Sequence, residues 1–173
     1  MKGLTLLEIL VALSIFALLI LAIFGTMDLG RASWFTGSTV VEVHREIIKS
    51  FMKMEKELRN TRPAEVSLTS GTSSASITFK IPQDIDGDGD VLDASGRIEW
   101  SGNITYALNS SKQITRTASG ATSILANNIS SLQFTRPVAS VDIIQVYITA
   151  AKTSLTRRQF QETGQIIIKM RNR

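Results

Sequence analysis

The apolar positions of this chain fall into three patterns, and each predicts a different kind of element. The first is a run from Leu4 to Phe24 in which Glu8 is the one charged residue. As a helix rising about 1.5 Å per residue, it is long enough to cross a bilayer core of about 30 Å. Residues 25–30 loosen this pattern without ending it, and Trp34 and Phe35 suit a membrane interface or a packing face. The second pattern is helical: Val40, Ile47 and Met54 stand seven apart, and His44, Phe51 and Leu58 interleave with them into one stripe. Glu42, Arg45, Glu46, Lys49, Lys53, Lys56 and Arg59 fall on the other side, with opposite charges three or four apart. Pro63 closes the pattern, because the residue before a proline is pushed out of the α region. Together they predict a helix from about residue 4 to about residue 60, weakened near 25–30, whose second half has one face to bury. His44, the one histidine of the chain, would lie on that buried face as a hydrogen-bonded core residue.

The third pattern begins after Pro63, where β-branched runs alternate with period two between Ser, Gly and Asn. It predicts strands over 75–81, 97–100, 103–108, 113–116, 132–135, 143–149 and 165–170. Ser101-Gly102 and residues 109–112 have the composition of hairpin turns. Residues 122–131 read as a short helix or turn leading into the strand at Leu132. The expected fold class is α+β, a long N-terminal helix with a transmembrane first half, its second half packed on an antiparallel sheet.

Composition narrows the possibilities. The chain has 173 residues, which beyond an anchor leaves enough for one domain. Its net charge of +4 is spread among acidic residues with no Lys/Arg block, so no nucleic-acid site is expected. It has no cysteine, which leaves the redox compartment open. With the lone histidine in a helical stripe and no Gly-rich phosphate loop after a strand, no catalytic constellation emerges. Neither enzymatic activity nor a small-molecule substrate is expected.

The apolar run differs from a cleaved signal peptide, whose small-residue cut site follows the apolar region. Here the small residue, Gly3, precedes it, so removal of Met1-Lys2-Gly3 would leave the helix as an anchor. Lys2 favours a cytoplasmic N-terminus, with the remainder across the membrane. Glu8 is costly within such a run and calls for a partner. If Leu4 becomes the first residue, its α-amino group has the right sign, within one subunit or between two. Alternatively, Glu8 sits at the headgroup level.

The stretch Gly3-Leu4-Thr5-Leu6-Leu7-Glu8-Ile9-Leu10-Val11-Ala12 resembles the leader junction of type IV pilins and type II secretion pseudopilins. That resemblance implies cleavage between Gly3 and Leu4 by a prepilin peptidase, N-methylation of Leu4, and a role for Glu8 in entry to a helical filament. It implies a pilin-like fold divided as 1–3 leader, 4–24 transmembrane helix, 25–62 amphipathic helix and 63–173 periplasmic β-rich domain. Lys56-Glu57-Leu58-Arg59 at the helix end, Ile129-Ser130-Ser131-Leu132-Gln133-Phe134, and the final strand running into Met170-Arg171-Asn172 are similar to the J-type minor pseudopilins. The expected function is therefore a non-enzymatic subunit at or near the tip of a periplasmic pseudopilus. It would sit in the inner membrane of a bacterium with other minor and major pseudopilins as partners. The alternatives are a minor pilin of a type IV pilus or DNA-uptake apparatus, and, from another class, a membrane-anchored calcium-dependent binding module.

One polar cluster suggests a ligand. Asp84, Asp86 and Asp88 with Gly89 match positions one, three, five and six of an EF-hand loop, where alternating oxygens converge on Ca²⁺. The twelfth position is Ser95 in place of a bidentate glutamate, so Asp90 and Asp93 are the candidates to complete a site. The competing reading is a solvated turn rich in Asp and Gly for conformational reasons.

Overall fold

The structure is a computed structural model that describes residues 5–155 and 157–171. Its first element is a single 53-residue helix, α1 (Leu6–Leu58). Thr5 caps its start, and at its end the Arg59 N–H donates to Glu55 O at 3.0 Å. The weak point expected at 25–30 does not interrupt it. A helical glycine costs only about 1 kcal/mol relative to alanine, and the helix formers on both sides carry Gly25 and Gly30 through. Residues 5–31 are all exposed, whereas Thr39, Val43, Ile47, Ser50, Met54, Glu57 and Leu58 are buried. A short 3₁₀ turn (Pro63–Glu65) then opens the second part of the chain, with proline at a position where no N–H is needed.

Eight strands follow: β1 (Ser73–Ser74), β2 (Ser76–Phe79), β3 (Ile104–Leu108), β4 (Ile114–Ala118), β5 (Ala121–Ala126), β6 (Ile129–Thr135), β7 (Ile143–Thr153) and β8 (Gln159–Lys169). They form two four-stranded antiparallel sheets, ordered β2-β3-β4-β5 and β1-β6-β7-β8. The second half of α1 packs against β5, β7 and β8, so both sheets share one core with the helix. Period-two alternation sends Ile144, Val146, Ile148 and Ala150 of β7 inward, where they meet Leu132 and Phe134 of β6 and Met54 and Leu58 of α1 in the same cluster. Phe79 stacks on Tyr106 at 5.6 Å between ring centroids. Gly164 of β8 lies where a Cβ would come within 2.8 Å of both Ile47 Cγ2 and Phe51 Cε2, so the absence of a side chain sets how closely the helix approaches the sheet.

The α+β class is as expected, and three details differ. The buried stripe is rotated from the one read off the sequence: Val40 is 42% exposed, Phe51 is half-buried, and His44 is on the surface with Nδ1 2.8 Å from Glu162 Oε1. At about 100° per residue the buried positions Thr39, Val43, Ile47, Ser50, Met54 and Glu57 centre to one side of the stripe read off the sequence, and Phe51 and then His44 lie progressively farther round from that centre. Thr39 and Ser50 take their place, because their hydroxyls donate to Phe35 O at 2.8 Å and Glu46 O at 2.7 Å and so stay satisfied under the sheet.

Residues 122–131, expected as a short helix or turn, form most of β5 and the start of β6. They are joined at Asn127-Asn128, where Asn128 takes φ of 60°. Pairing with β4 decides the outcome: Thr115, Arg116 and Thr117 sit opposite Ile124, Ser123 and Thr122. Residues 97–100 make isolated bridges, Leu92 to Ile98 and Pro82 to Trp100, in place of a strand. The segment opposite them holds Pro82 and the Asp-Gly loop, which cannot sustain a ladder.

Candidate functional site

Gly3 and Leu4 lie outside the described residues. At the start of α1, Thr5 and Glu8 form a reciprocal cap. The Thr5 N–H donates to Glu8 Oε2 at 3.0 Å, and the Thr5 hydroxyl oxygen accepts from the Glu8 N–H at 3.3 Å. Thr-x-x-Glu is the spacing this arrangement requires. Glu8 thus has a partner within its own helix, at the edge of a surface made of exposed leucine, isoleucine and phenylalanine. The stretch is long and apolar enough to span a membrane, and it is the one such helix among the described residues.

The aspartate loop is built on side chain to backbone bonds. Asp84 spans it, with Oδ1 accepting from Gly87 N–H at 2.7 Å and Oδ2 from Gly89 N–H at 2.9 Å. Gly87 and Gly89 both adopt positive φ, 82° and 91°, which explains why glycine recurs here. Asp86 Oδ1 accepts from Asp88 N–H and Asp88 Oδ1 from Asp90 N–H, while Asp93 Oδ1 takes Ser95 N–H and Arg97 N–H in the next turn. Glu99 reaches across from residues 97–100, its Oε2 accepting from Ile85 N–H at 2.6 Å.

The group that this geometry gathers is Asp84, Asp86 and Glu99, each offering an oxygen within 4.8 Å of the others. Oxygens around one Ca²⁺ lie about 2.3–2.6 Å from the ion and hence up to about 5.2 Å apart, so three carboxylates so placed fit a cation of that size. Asp88, Asp90 and Asp93 are not part of this group; one oxygen of each accepts a backbone N–H of a local turn. A glutamate, absent at Ser95, reaches the group as Glu99 from a neighbouring segment, and a bridge pattern beyond the loop is not visible in its spacing.

A second polar group lies under the sheet. Glu57, 6% exposed, faces β3 and β4 and accepts from Tyr106 Oη at 2.7 Å and from Arg116 Nε at 3.0 and 3.1 Å. Lys53 Nζ is 2.9 Å from its Oε1. Burial pushes the Glu57 carboxyl up, but the hydrogen bonds from Lys53, Tyr106 and Arg116 outweigh it and hold it below the usual carboxylate range. Burial, then the bond it gives Glu57, raises the Tyr106 phenol well above its ordinary value. Burial works against the Arg116 charge, yet Glu57 keeps its proton bound more tightly than usual. Every polar group here is occupied by another, which makes the cluster a clamp between α1 and the sheet. The sequence carried a signal for it: Glu57 continues the seven-residue spacing of Val43 and Ser50.

Comparison of the chain with protein-family models, with curated proteins and with solved structures finds no match.

Proposed function

We propose that this chain is a membrane-anchored, non-enzymatic subunit of a pilin-like filament, in the manner of a J-type minor pseudopilin of type II secretion. One observation carries the reading. A single unbroken helix is bare through residues 5–31, apolar from Leu6 to Phe24 but for Glu8 and Ser14, and is covered by two sheets only in its second half. Such a helix needs one apolar medium for its first half, and a bilayer or a bundle of like helices supplies it. Glu8, one turn in, is the kind of group that a filament built from such helices uses to fix register. The exposed face of the second half adds support: Trp34, Val41, Ile48 and Met52 remain uncovered, with Arg45, Lys49 and Lys56 beside them. In this reading Met1-Lys2-Gly3 is removed by a prepilin peptidase, Leu4 is methylated, and the β-rich part lies in the periplasm beside other pseudopilins. A minor pilin of a type IV pilus would use the same parts.

The acidic group of Asp84, Asp86 and Glu99 favours Ca²⁺ as a structural ligand of the distal loop within this function. A calcium-dependent binding module that never polymerises would share that loop but would need neither the cut after Gly3 nor Glu8. Coexpression with a prepilin peptidase and intact-mass measurement test the proposal. Loss of Met1-Lys2-Gly3 and gain of one methyl group is expected, blocked by Gly3→Val. Glu8→Ala should insert into the membrane and fail to crosslink to other subunits. Cleavage beyond Phe24, or normal incorporation of the Glu8 variant, would overturn it.

A further inference from the structure

The chain leaving α1 at residues 60–62 forms one wall of a cleft of about 420 Å³, distant in sequence from the apolar anchor. Facing it are Ile81, Leu92 and Ile98, with Trp100 among them. Arg62 lies over the Trp100 ring, its guanidinium carbon 4.6 Å from the centroid, so each side chain fixes the plane of the other. Volume and lining are those of a small-ligand site, mostly apolar with a few polar groups.

Two polar atoms of the residues at this cleft have no partner among the described residues. Thr61 Oγ1 and Arg62 Nε are both shut off from solvent and unbonded, and Thr61 as a whole is 1% exposed. Proteins nearly always satisfy such atoms, because an orphaned donor forfeits its hydration for nothing. The charge around them is also unbalanced. Glu65 Oε1 is 2.8 Å from Arg62 Nη2, but its Oε2 is shared with Lys80 at 3.6 Å, so one carboxylate faces two cations. Arg171 lines the cleft as a further cation, and the one acid of the lining, Asp90, has an oxygen taken by Val91 N–H at 2.6 Å.

We propose that this cleft is a binding site for an apolar group bearing a carboxylate. The apolar part packs on Trp100, Leu92 and Ile98, and the carboxylate accepts from the guanidinium groups of Arg62 and Arg171 and from the Thr61 hydroxyl. Seating it takes a small turn of the Thr61 and Arg62 side chains, which the new acceptor offsets. A planar carboxylate suits the guanidinium fork, and an apolar lining disfavours a heavily hydrated phosphate. The same chemistry occurs at the C-terminal residue of a polypeptide and in a free fatty acid.

The test uses the full chain in phosphatidylcholine vesicles with Trp34→Phe, so that Trp100 is the one tryptophan. N-acetyl-leucine should change its emission saturably, and N-acetyl-leucinamide should bind at least about tenfold more weakly, the scale of one lost charge-assisted hydrogen bond. Arg171→Ala should weaken the acid about tenfold and leave the amide unchanged. Thr61→Val should melt at or above the parent temperature and still weaken the acid, which separates a ligand role from a folding one. A leucine-terminated tetrapeptide and hexanoate identify the source, and tighter binding of either supports the site. Equal binding of acid and amide, no saturable response, or an Arg171→Ala variant that binds the acid as before would overturn it.

Discussion

Glu57→Gln isolates the clamp between helix and sheet. Glutamine keeps the shape and one acceptor oxygen for Tyr106, but it turns an amide N–H₂ toward Lys53 or Arg116, both of which are donors. Breaking one side of a buried ion pair typically costs about 3–5 kcal/mol. Here the Lys53 and Arg116 side chains are 44% and 22% exposed, so water recovers part of their hydration. The expected loss is about 2–3 kcal/mol, made of charge-assisted bonds at about 1.5–3 kcal/mol each less that recovery. For a chain of this size the melting midpoint should fall by about 5–10 °C. Thermal unfolding of the full chain in detergent, followed by near-ultraviolet circular dichroism, measures it. The pH dependence has a definite sign. Because the folded carboxyl is depressed, its contribution is complete above the unfolded value near 4.3 and disappears as the pH falls through the lower folded value. The gap between parent and variant should therefore close below about pH 4. A midpoint within about 1 °C of the parent at pH 7, or a gap that persists in acid, would refute the clamp.

Further predictions rest on other contacts. Gly164→Ala should destabilise by about 1–3 kcal/mol, opposite to the gain expected for alanine in a strand, because its Cβ meets Ile47 and Phe51 at 2.8 Å; a raised melting midpoint would refute the close approach. Phe51→Ala, at a half-buried ring, should cost less than the about 3–5 kcal/mol of a fully buried phenylalanine, and it should relieve Gly164→Ala when the two are combined. Ca²⁺ at ten times its dissociation constant should add about 1.4 kcal/mol to stability. Glu99→Gln should abolish that gain and Asp93→Asn should leave it intact, and the reverse pattern would remove Glu99 from the site.

What was legible in the sequence was whatever depends on local period. The apolar run from Leu4, the helix to its end near Leu58, and the alternation in residues 143–149 and 165–170 all arise from a single element meeting a single kind of environment. What was hidden depends on partners far away in the chain. Residues 122–126, Thr-Ser-Ile-Leu-Ala, show no period-two alternation, and become a strand because β4 offers a ladder. Residues 97–100 have a strand's composition, but their neighbour holds Pro82 and an Asp-Gly loop. Glu99 reads as one polar residue between Ile98 and Trp100, and only the fold brings it to Asp84 and Asp86. His44 was expected on the buried face and lies on the surface, because the sheets cover the side of α1 that carries Val43, Ser50 and Glu57, and which side they cover is set by strands far away in the chain.

Glu8 and Glu57 stand near opposite ends of the same helix, and the difference between their surroundings bears on the proposed function. Glu57 is held by Tyr106 and Arg116 from two strands and by Lys53 of its own helix, so moving it means opening the core. Among the described residues Glu8 is held by Thr5 alone, through bonds inside one exposed helical turn, each worth about 1 kcal/mol or less when water or a headgroup can replace it. A carboxylate so weakly retained remains available to a stronger partner, and a cationic amine brought close in an apolar medium is one. Under the proposed function, Thr5 would satisfy Glu8 while the subunit is alone in the membrane and would give up little when a neighbouring helix arrives. The uncovered stripe of Trp34, Val41, Ile48 and Met52 follows the same logic further along α1, since its burial also waits for a second surface. The helix is thus fixed where the sheets cover it and unsatisfied where they do not, which is the division of labour a subunit needs if it folds alone and completes itself on assembly.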